Sequence, residues 1–464
     1  MPDTTLDRAT QARRKALGLS PIPAKANTGV PAQASTGGAP PANANAALAL
    51  SPLALTKPRR DPAIDAARRA RADRVMLGAF TALIIAATVF QCFGLPLTLD
   101  SNIALIVPVM GIALAVLTWY NPPKVDPTRF LLYVLTLGSA GISTAFFADR
   151  YSAASLALFS VLYAPFVLSF EVSEKAWRQC LDMFSTVMVA MVGLEFIQHT
   201  MQIVAGPQSW PNLYRLLPAS VLIDNFNYLQ PLVWGSPYDK PQAFVFLETS
   251  FLSQFAALAL AVEIMVFRRL WRMALFTAGI FATFAGTGLL LLALTLPVML
   301  GRASLRTTAI VIVVLIVALA VAVESGWLQT VANRFGEFQQ NGASANHRFV
   351  EPFQRMIDLL DKPSALYSGI GAGQIEKSIN FQFWPLAKVA VEYGYLTAGL
   401  FLALVLRAMF DRPPSLVLAF TLVVWFSLEG ALLTAVNPFL CMMLSSFFVV
   451  PRAAKPQKRP AAPA

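Results

Sequence analysis

Residues 306–324 read RTTAIVIVVLIVALAVAVE, an apolar run whose charged residues stand only at its two ends. A helix needs roughly 17 to 25 mainly apolar residues to cross the hydrocarbon core of a bilayer. The composition fits a membrane protein, because 56% of the chain is hydrophobic, only 13% is charged and the mean hydropathy is +0.59. Such values exclude an ordinary soluble domain.

Similar apolar runs recur along the chain and predict an all-α, polytopic membrane protein with about 12 transmembrane helices. The predicted spans are residues 76–94, 102–119, 130–147, 152–170, 180–204, 244–266, 271–284, 286–300, 306–324, 386–406, 415–432 and 437–450. The seventh and eighth spans are short and meet near Ala285-Gly286-Thr287-Gly288, so the sequence defines their boundary least well.

The positions of basic residues test this arrangement, because Lys and Arg favour short cytoplasmic loops. A cytoplasmic N-terminus places nearly all basic residues of the short connections inside, whereas the short loops on the other side carry little beyond Arg150. The inside residues are Lys124, Arg129, Lys175, Arg178, Arg268, Arg269, Arg272, Arg302, Arg306, Arg407 and Arg412. We therefore expect an even number of spans with both termini cytoplasmic.

The two ends of the chain differ from its middle. Residues 1–70 are basic and rich in Ala, Pro, Thr, Asn and Gly, and they lack the short apolar core of a signal peptide. This pattern predicts a disordered cytoplasmic tail. The tail could contact anionic membrane lipid or merely enforce orientation. Residues 76–450 form the predicted transmembrane domain, and residues 451–464 form a second cytoplasmic tail.

Several chemistries have no support in the sequence. The three cysteines, Cys92, Cys180 and Cys441, fall in or beside predicted spans, and His199 and His347 are the two histidines. We therefore expect no disulfide framework, no metal site and no cofactor. The phosphate-binding glycine loop of ATP-driven proteins is also missing, and no feature indicates nucleic-acid binding.

Two long loops, 206–243 and 325–385, lie on the side opposite the basic residues. Long loops in ordered proteins are often functional. The first contains Arg215 and Lys240 together with aromatic residues such as Trp210 and Trp234. These aromatics suit a sugar-binding cleft, and equally the aromatic belt at a membrane surface.

The second loop contains an amphipathic pattern over residues 346–361, which predicts a helix. Its polar face carries Arg348 and Arg355, which form either the ion pairs of a solvated helix or a phosphate site. The adjacent His347 favours a site. So do the three following glycines, because glycine lets backbone N–H groups approach an anion. These glycines are Gly369, Gly371 and Gly373.

These residues resemble the O-antigen ligase and polymerase family of bacterial inner-membrane proteins (Wzy/WaaL-like), over roughly residues 190–450. The spacing from Arg355 to Gly371 is similar to the spacing between an arginine and a glycine in the polymerase type. Arg348 is similar to the arginine that begins the helix in that family. The segments Lys240–Ser250 and Val391–Leu396 resemble those that enter two spans of the family.

The chain also departs from this family pattern. Lys240 stands where an arginine is usual, so Arg215 could serve instead, since only arginine offers a bidentate fork to phosphate. Thr249 replaces a proline and Ala285 a serine. His347 resembles the histidine of the ligase branch, but its spacing to the glycines is longer. The polymerase is therefore favoured over the ligase.

The resemblance implies a GT-C-like membrane glycosyltransferase. It would join polyprenyl-pyrophosphate-linked oligosaccharide repeat units into an exopolysaccharide or O-antigen chain at the periplasmic face of the inner membrane. Partners would include a chain-length regulator and export proteins. A ligase that transfers a saccharide chain to a lipid core is the alternative within the family. A transporter of lipid-linked saccharides is the alternative from another class.

The resemblance also implies roles for individual residues. Arg348 and Arg355 would stabilise the pyrophosphate leaving group without a metal. His347, Glu248 or Glu392 would accept the proton of the attacking hydroxyl. The remaining residues of the expected substrate site are Arg215, Lys240, Gly369, Gly371, Gly373 and Glu392. Outside this site, Glu195 and His199 stand one helical turn apart and are expected to form a packing hydrogen bond.

Overall fold

Apolar helices make up most of the computed structural model, which describes residues 62–98, 101–223, 226, 228–232, 235–324, 346, 350–375, 377, 383–428 and 432–449. All of these residues belong to one unit, Arg60–Ala464. The helices are α1 (Pro62–Thr88), α2 (Ile106–Tyr120), α3 (Pro127–Phe147), α4 (Ala153–Tyr163), α5 (Glu174–Ala205), α6 (Thr249–Val262), α7 (Leu270–Ala282), α8 (Gly286–Leu300), α9 (Leu305–Glu324), α10 (Glu351–Leu360), α11 (Pro385–Tyr393), α12 (Tyr395–Phe410), α13 (Leu416–Leu428) and α14 (Val436–Cys441).

Every predicted span overlaps one of these helices, and the chain is a membrane protein with apolar helices. Among the described residues, α3, α5 and the α6 segment Thr249–Phe267 are long and apolar enough to cross a bilayer. Shorter apolar helices lie at α2, α4, α7, α8, α9, α12, α13 and α14.

The expectation of a purely α-helical chain is wrong in detail, because short strands flank several helices. Strands β1 (Gly94–Thr98) and β2 (Ser101–Ala104) form an antiparallel hairpin. Strand β4 (Leu168–Glu171) pairs antiparallel with β3 (Lys124–Val125) and parallel with β5 (Phe448–Val449). Apolar composition alone does not separate a short strand from the end of a helix, so the predicted spans ran too far.

Two backbone turns also shorten predicted spans. Gly394 has φ of 91° and separates α11 from α12 within the predicted span 386–406. Ala243 and Phe244 both have positive φ, at 51° and 66°, so α6 begins at Thr249 and not at 244. Glu248 therefore stands at the start of α6, whereas the predicted span 244–266 places it about one turn inside.

One end of the bundle, called here the basic end, is where α3, α5 and α7 begin and where α6 and α12 end. The guanidinium of Arg129 is buried there and donates to the carbonyls of Phe166 and Ser446, at 3.4 Å each. It also pairs with Asp411 of the α12 terminus at 3.4 Å. Since a buried charge needs partners, this arginine fixes the start of α3 against the ends of α4, α12 and α14.

A second ion-pair network at the basic end joins α5, α6 and α7. The fully buried carboxylate of Glu263 lies 2.5 Å from Arg269 Nη2 and accepts from Ser185 Oγ at 2.5 Å. Arg269 also pairs with Asp182 of α5 at 2.5 Å. The basic residues placed inside by the sequence thus hold the helix ends together.

Helix α6 lies at the centre of the bundle. All of its side chains from Thr249 to Val262 are buried, and it packs against α5, α7, α8 and α13. A Cβ on Gly288 of α8 would lie 2.6 Å from the carbonyl oxygen of Ser253. The small residue therefore permits a close crossing of α6 and α8, as is common between transmembrane helices.

The opposite end, called here the loop end, is where α5 terminates and α6 begins. The loop between these helices is ordered by contacts to its surroundings. Asn102 of β2 donates to the carbonyl of Leu222 at 2.9 Å, and Tyr214 donates to the carbonyl of Phe246 at 2.7 Å. The described part of the second long loop contacts the start of α4 and the end of α11.

Candidate functional site

The glycine cluster 369–373 packs tightly at the loop end. The amide of Ile370 donates to the carbonyl of Val391 at 2.9 Å, and that of Gly371 to Glu392 at 3.1 Å. A Cβ on Gly369 would lie 2.3 Å from the carbonyl carbon of Glu392. Since no side chain fits that space, glycine is required for the loop to rest on the end of α11.

The glycines also contact the turn between α3 and α4. A Cβ on Gly371 would lie 2.1 Å from the carbonyl oxygen of Arg150, and Gly371 has φ of 103°. The Gly369 amide points to Ser143 Oγ at 3.3 Å. The amides of Gly369 and Gly371 thus donate within the protein, and the predicted contact of the glycines with substrate stays a prediction.

Helix α11 carries a buried ion pair beneath this loop. Lys388 and Glu392 are 2% and 0% exposed, and Nζ lies 3.8 Å from Oε1. Glu392 was among the expected site residues, whereas Lys388 was missed. The (i, i+4) spacing of opposite charges in an apolar segment is the signal that could have found it.

Helix α10 lies within the amphipathic helix predicted for residues 346–361, and it begins at Glu351. The helix packs against α11, and the ring of Phe353 stacks on Trp384 with 6.2 Å between centroids. Arg355 is exposed on its polar face. His347 and Arg348 lie outside the described residues.

Glu248 is buried at the first turn of α6 and accepts a hydrogen bond from Ser250 Oγ at 3.0 Å. A negative charge is favourable at a helix N-terminus. The preceding turn is held by Gln198 of α5, whose side-chain oxygen accepts from the amides of Gln242 and Phe244 at 2.9 and 3.4 Å. Gln198 therefore fixes the position of the segment that precedes Glu248.

Arg215 and Lys240 both belong to the first long loop. Arg215 is exposed on the one-turn helix Leu213–Leu216 and donates to Gln208 Oε1 at 2.7 Å. Lys240 is half-buried, and its backbone amide donates to the carbonyl of Gln230 at 2.7 Å.

The aromatic residues of this loop mostly support its packing. Tyr214 and Tyr228 stack with 4.1 Å between ring centroids. Burial raises the pKa of the Tyr214 phenol, which therefore stays a neutral hydrogen-bond donor. Trp210 is buried against Phe244. The expected Trp234 falls outside the described residues.

Glu195 and His199 do not bond to each other as a packing pair. His199 Nε2 lies 2.8 Å from the carbonyl oxygen of Ala282 on α7. Glu195 is fully buried where α5 crosses Gly279 of α7, and its carboxylate has no hydrogen-bond partner within the described part of the chain. The sequence spacing correctly placed Glu195 and His199 one turn apart on α5, but it did not predict their hydrogen-bond partners.

Metal-ligating side chains do not cluster in the described ranges, where no group of three His, Cys, Asp or Glu residues could hold an ion. The loop end instead combines an exposed arginine on α10, a buried Lys–Glu pair on α11 and a buried glutamate at α6. Such a site on an apolar bundle suits a membrane enzyme that acts on an anionic, lipid-borne substrate.

The family comparison agrees with this class. The model of the WcaD colanic acid polymerase family matches residues 102–380, and the chain belongs to this family of Wzy-type polysaccharide polymerases. No curated protein and no solved structure matches the chain. The match begins well before residue 190 and ends before the Val391–Leu396 segment of the expected resemblance.

Family membership confirms the polymerase over the ligase and the transporter. The protein is an exopolysaccharide polymerase of the colanic acid type, which joins lipid-linked repeat units in the inner membrane. Its substrate class is therefore a lipid-linked saccharide, and its chemistry is glycosyl transfer.

Proposed function

We propose that polymerisation takes place at the loop end, on the periplasmic face of the membrane. In this proposal the chain crosses the bilayer about 12 times in a GT-C-like arrangement, with both termini in the cytoplasm. The charge distribution supports this orientation. Arg129, Arg269 and their neighbours gather at the basic end, and such residues favour the cytoplasm.

The donor in this proposal is a saccharide chain on polyprenyl pyrophosphate. A hydroxyl oxygen of the acceptor saccharide attacks the anomeric carbon of the donor and forms the new glycosidic bond. The bond from that carbon to the pyrophosphate oxygen breaks, and its electron pair leaves with the pyrophosphate. A protein base takes up the hydroxyl proton.

We assign stabilisation of the leaving pyrophosphate to Arg348 and Arg355. Negative charge grows on its oxygens in the transition state, and a guanidinium binds such oxygens in a bidentate manner without a metal. The exposure of Arg355 on α10 supports this role, because a substrate phosphate can reach it.

Glu248, Glu392 and His347 are the three possible bases, and we favour Glu248. Glu392 is engaged in an ion pair with Lys388, whose Nζ lies 3.8 Å from Oε1. Glu248 accepts from a serine hydroxyl in a segment that Gln198 holds in place. A general base needs this kind of fixed position.

Arg215, Lys240 and the glycine loop complete the proposed substrate site. The two basic residues would contact the saccharide or its phosphates. The glycines Gly369, Gly371 and Gly373 set the position of α10 relative to α11. We also retain a chain-length regulator and export proteins as partners, and anionic lipid as the partner of the basic N-terminal tail.

The observation that carries the proposal is the packing of α10, with exposed Arg355, on α11 with its buried Lys388–Glu392 pair. The test uses purified protein in liposomes with lipid-linked repeat units, and it compares Arg355→Ala and Arg355→Lys with wild type. We expect both variants to lose polymer, because lysine lacks the guanidinium fork.

The matched control is Lys362→Ala, which removes an exposed positive charge just beyond α10. This variant should keep its activity. Wild-type polymer from Arg355→Ala would show that the arginine belongs to a solvated helix face and not to the reaction.

A further inference from the structure

A cavity of about 890 Å³ lies between α5, α7 and α9, on the side of α6 away from α10. Its walls are mostly apolar and combine small and branched side chains with the rings of Phe281 and Phe284. Ala274 and Ala278 of α7 form one wall, and Val313 and Val317 of α9 form another. The volume falls in the usual range of ligand sites, roughly 300 to 1,000 Å³.

Apart from Thr277 of α7, whose hydroxyl donates to the Met273 carbonyl of its own helix, the polar lining of this cavity lies at the loop end. His199 and Gln202 come from the last turns of α5, and Tyr238 and Asp239 come from the first long loop. Gln202 donates to the carbonyl of Asp239 at 3.0 Å and accepts from its amide at 2.8 Å. This double hydrogen bond holds the loop over the end of the cavity.

The cavity is therefore amphipathic along its length. Val313 and Val317 are 58% and 57% exposed, and in a bilayer such surface is covered by hydrocarbon. Its apolar part follows the halves of α7 and α9 that lead to the loop end, and its polar part adjoins the loop. A single molecule that fills both parts has a long hydrocarbon chain and a polar head at the membrane surface.

The reaction of the family requires two such lipid-linked molecules at the same time. An enzyme that joins two lipid-linked repeat units holds two lipid chains at the moment of transfer. Helix α10 and its partner α11 are separated from this cavity by α6 and α13, since α13 contacts both α6 and α11. The two lipids can then approach the loop end from different sides without competing for one groove.

We propose that the cavity between α5, α7 and α9 binds the polyprenyl chain of a lipid-linked repeat unit, whose saccharide-bearing head lies beside Gln202 and Asp239. This inference rests on the proposed function, because it places the head at the same loop end as Glu248. Hydrocarbon burial drives the binding. The paired Gln202 and Asp239 mark where the hydrocarbon chain of the lipid ends and its polar head begins.

The first test is photocrosslinking in lipid nanodiscs with a diazirine-bearing polyprenyl-pyrophosphate saccharide, followed by peptide mapping. We expect label on α7 and α9 that excess unlabelled polyprenyl pyrophosphate removes and excess phosphatidylglycerol does not. Competition by both lipids to the same extent would identify the cavity as an ordinary lipid contact. Absence of label from α7 and α9 would also overturn the proposal.

The second test fills the cavity. Ala278→Trp places an indole among the lining residues, and Ala320→Trp adds the same bulk to a lipid-exposed position of α9 outside the lining. We expect Ala278→Trp to lower specific labelling about tenfold, the change that corresponds to about 1.4 kcal/mol of binding. Ala320→Trp should label like wild type. Equal labelling of both variants would overturn the proposal.

Labelling needs no turnover, so it separates this inference from the reaction mechanism. Arg355→Ala should still label at α7 and α9 while it makes no polymer. If Arg355→Ala makes polymer and also labels normally, the mechanism is wrong and the cavity assignment stands. If it makes no polymer and wild-type label is absent from the cavity, the mechanism stands and the cavity assignment is wrong.

Discussion

The two buried glutamates at the loop end, Glu248 and Glu392, have different surroundings and therefore different expected roles. Glu248 accepts from Ser250, whereas Glu392 pairs with Lys388. Removal of one partner of a buried ion pair is strongly destabilising. We expect the first residue to matter for turnover and the second for stability.

Glu248→Gln is predicted to lower the rate of polymerisation by about 10²- to 10⁴-fold, the usual contribution of a general base. Glutamine keeps a side-chain oxygen that can accept from Ser250. The melting temperature in detergent is measured beside the rate to show that the variant is folded. The rate is measured from polymer formed by purified protein. A variant with a normal rate would exclude Glu248 as the base.

Glu392→Gln is predicted to destabilise the protein by about 3–5 kcal/mol, because it removes a buried negative charge that lies 3.8 Å from the ammonium group of Lys388. The measurement is thermal unfolding of the detergent-solubilised protein. The double variant Lys388→Met, Glu392→Leu should recover most of the lost stability, since both charges are gone. A double variant as unstable as Glu392→Gln would contradict the ion-pair account.

At the scale of elements, the glycine loop joins α10, α11 and the turn between α3 and α4. Gly369→Ala is predicted to destabilise by about 1–3 kcal/mol, the usual cost of overpacking, because its Cβ would meet the Glu392 backbone. The control is Gly399→Ala in α12, where no atom lies within 4 Å of the added Cβ.

Gly399→Ala should be neutral or stabilising by about 0.5–1 kcal/mol, since alanine favours a helix interior. The measurement compares the melting temperatures of Gly369→Ala and Gly399→Ala in detergent. Equal melting temperatures would show that the loop is not pressed against α11.

Helix positions could be predicted from the sequence, whereas the turns and the hydrogen-bond partners of side chains could not. Apolar runs located the helices, because bilayer thickness sets their length. The strained turn at Ala243 and Phe244 depends on Gln198, far away in the chain, and no local pattern signals it. The same holds for Arg129, which reads as an ordinary cytoplasmic charge but is buried among distant carbonyls.

The candidate site could also be predicted only in part from the sequence. Glu248, Glu392 and the glycines were predicted from residue type, spacing and the family resemblance. The structure places them at one end of the bundle, and their roles stay predictions. Lys388 was missed because a lysine inside an apolar run looks like the end of a span. Its partner lies one helical turn away, and the burial of both side chains shows that the two form a buried pair.

At the scale of the whole molecule, the basic end and the loop end should face opposite compartments. A reporter enzyme that is active only outside the cytoplasm is predicted to be active when fused near Tyr228 or Gly342. Fusions near Arg269 or Lys458 should be silent. An inactive fusion at Gly342 would place the second long loop in the cytoplasm and remove the periplasmic site.

The central claim is that the protein alone lengthens lipid-linked saccharides by a reaction that its arginines support without a metal. The most direct measurement is electrophoresis of products from purified protein, lipid-linked repeat units and a metal chelator, without any other acceptor. We predict a ladder of lipid-linked oligomers for wild type and unchanged single units for Arg355→Ala. Single units left unchanged by wild-type protein, or an equal ladder from both proteins, would contradict the account.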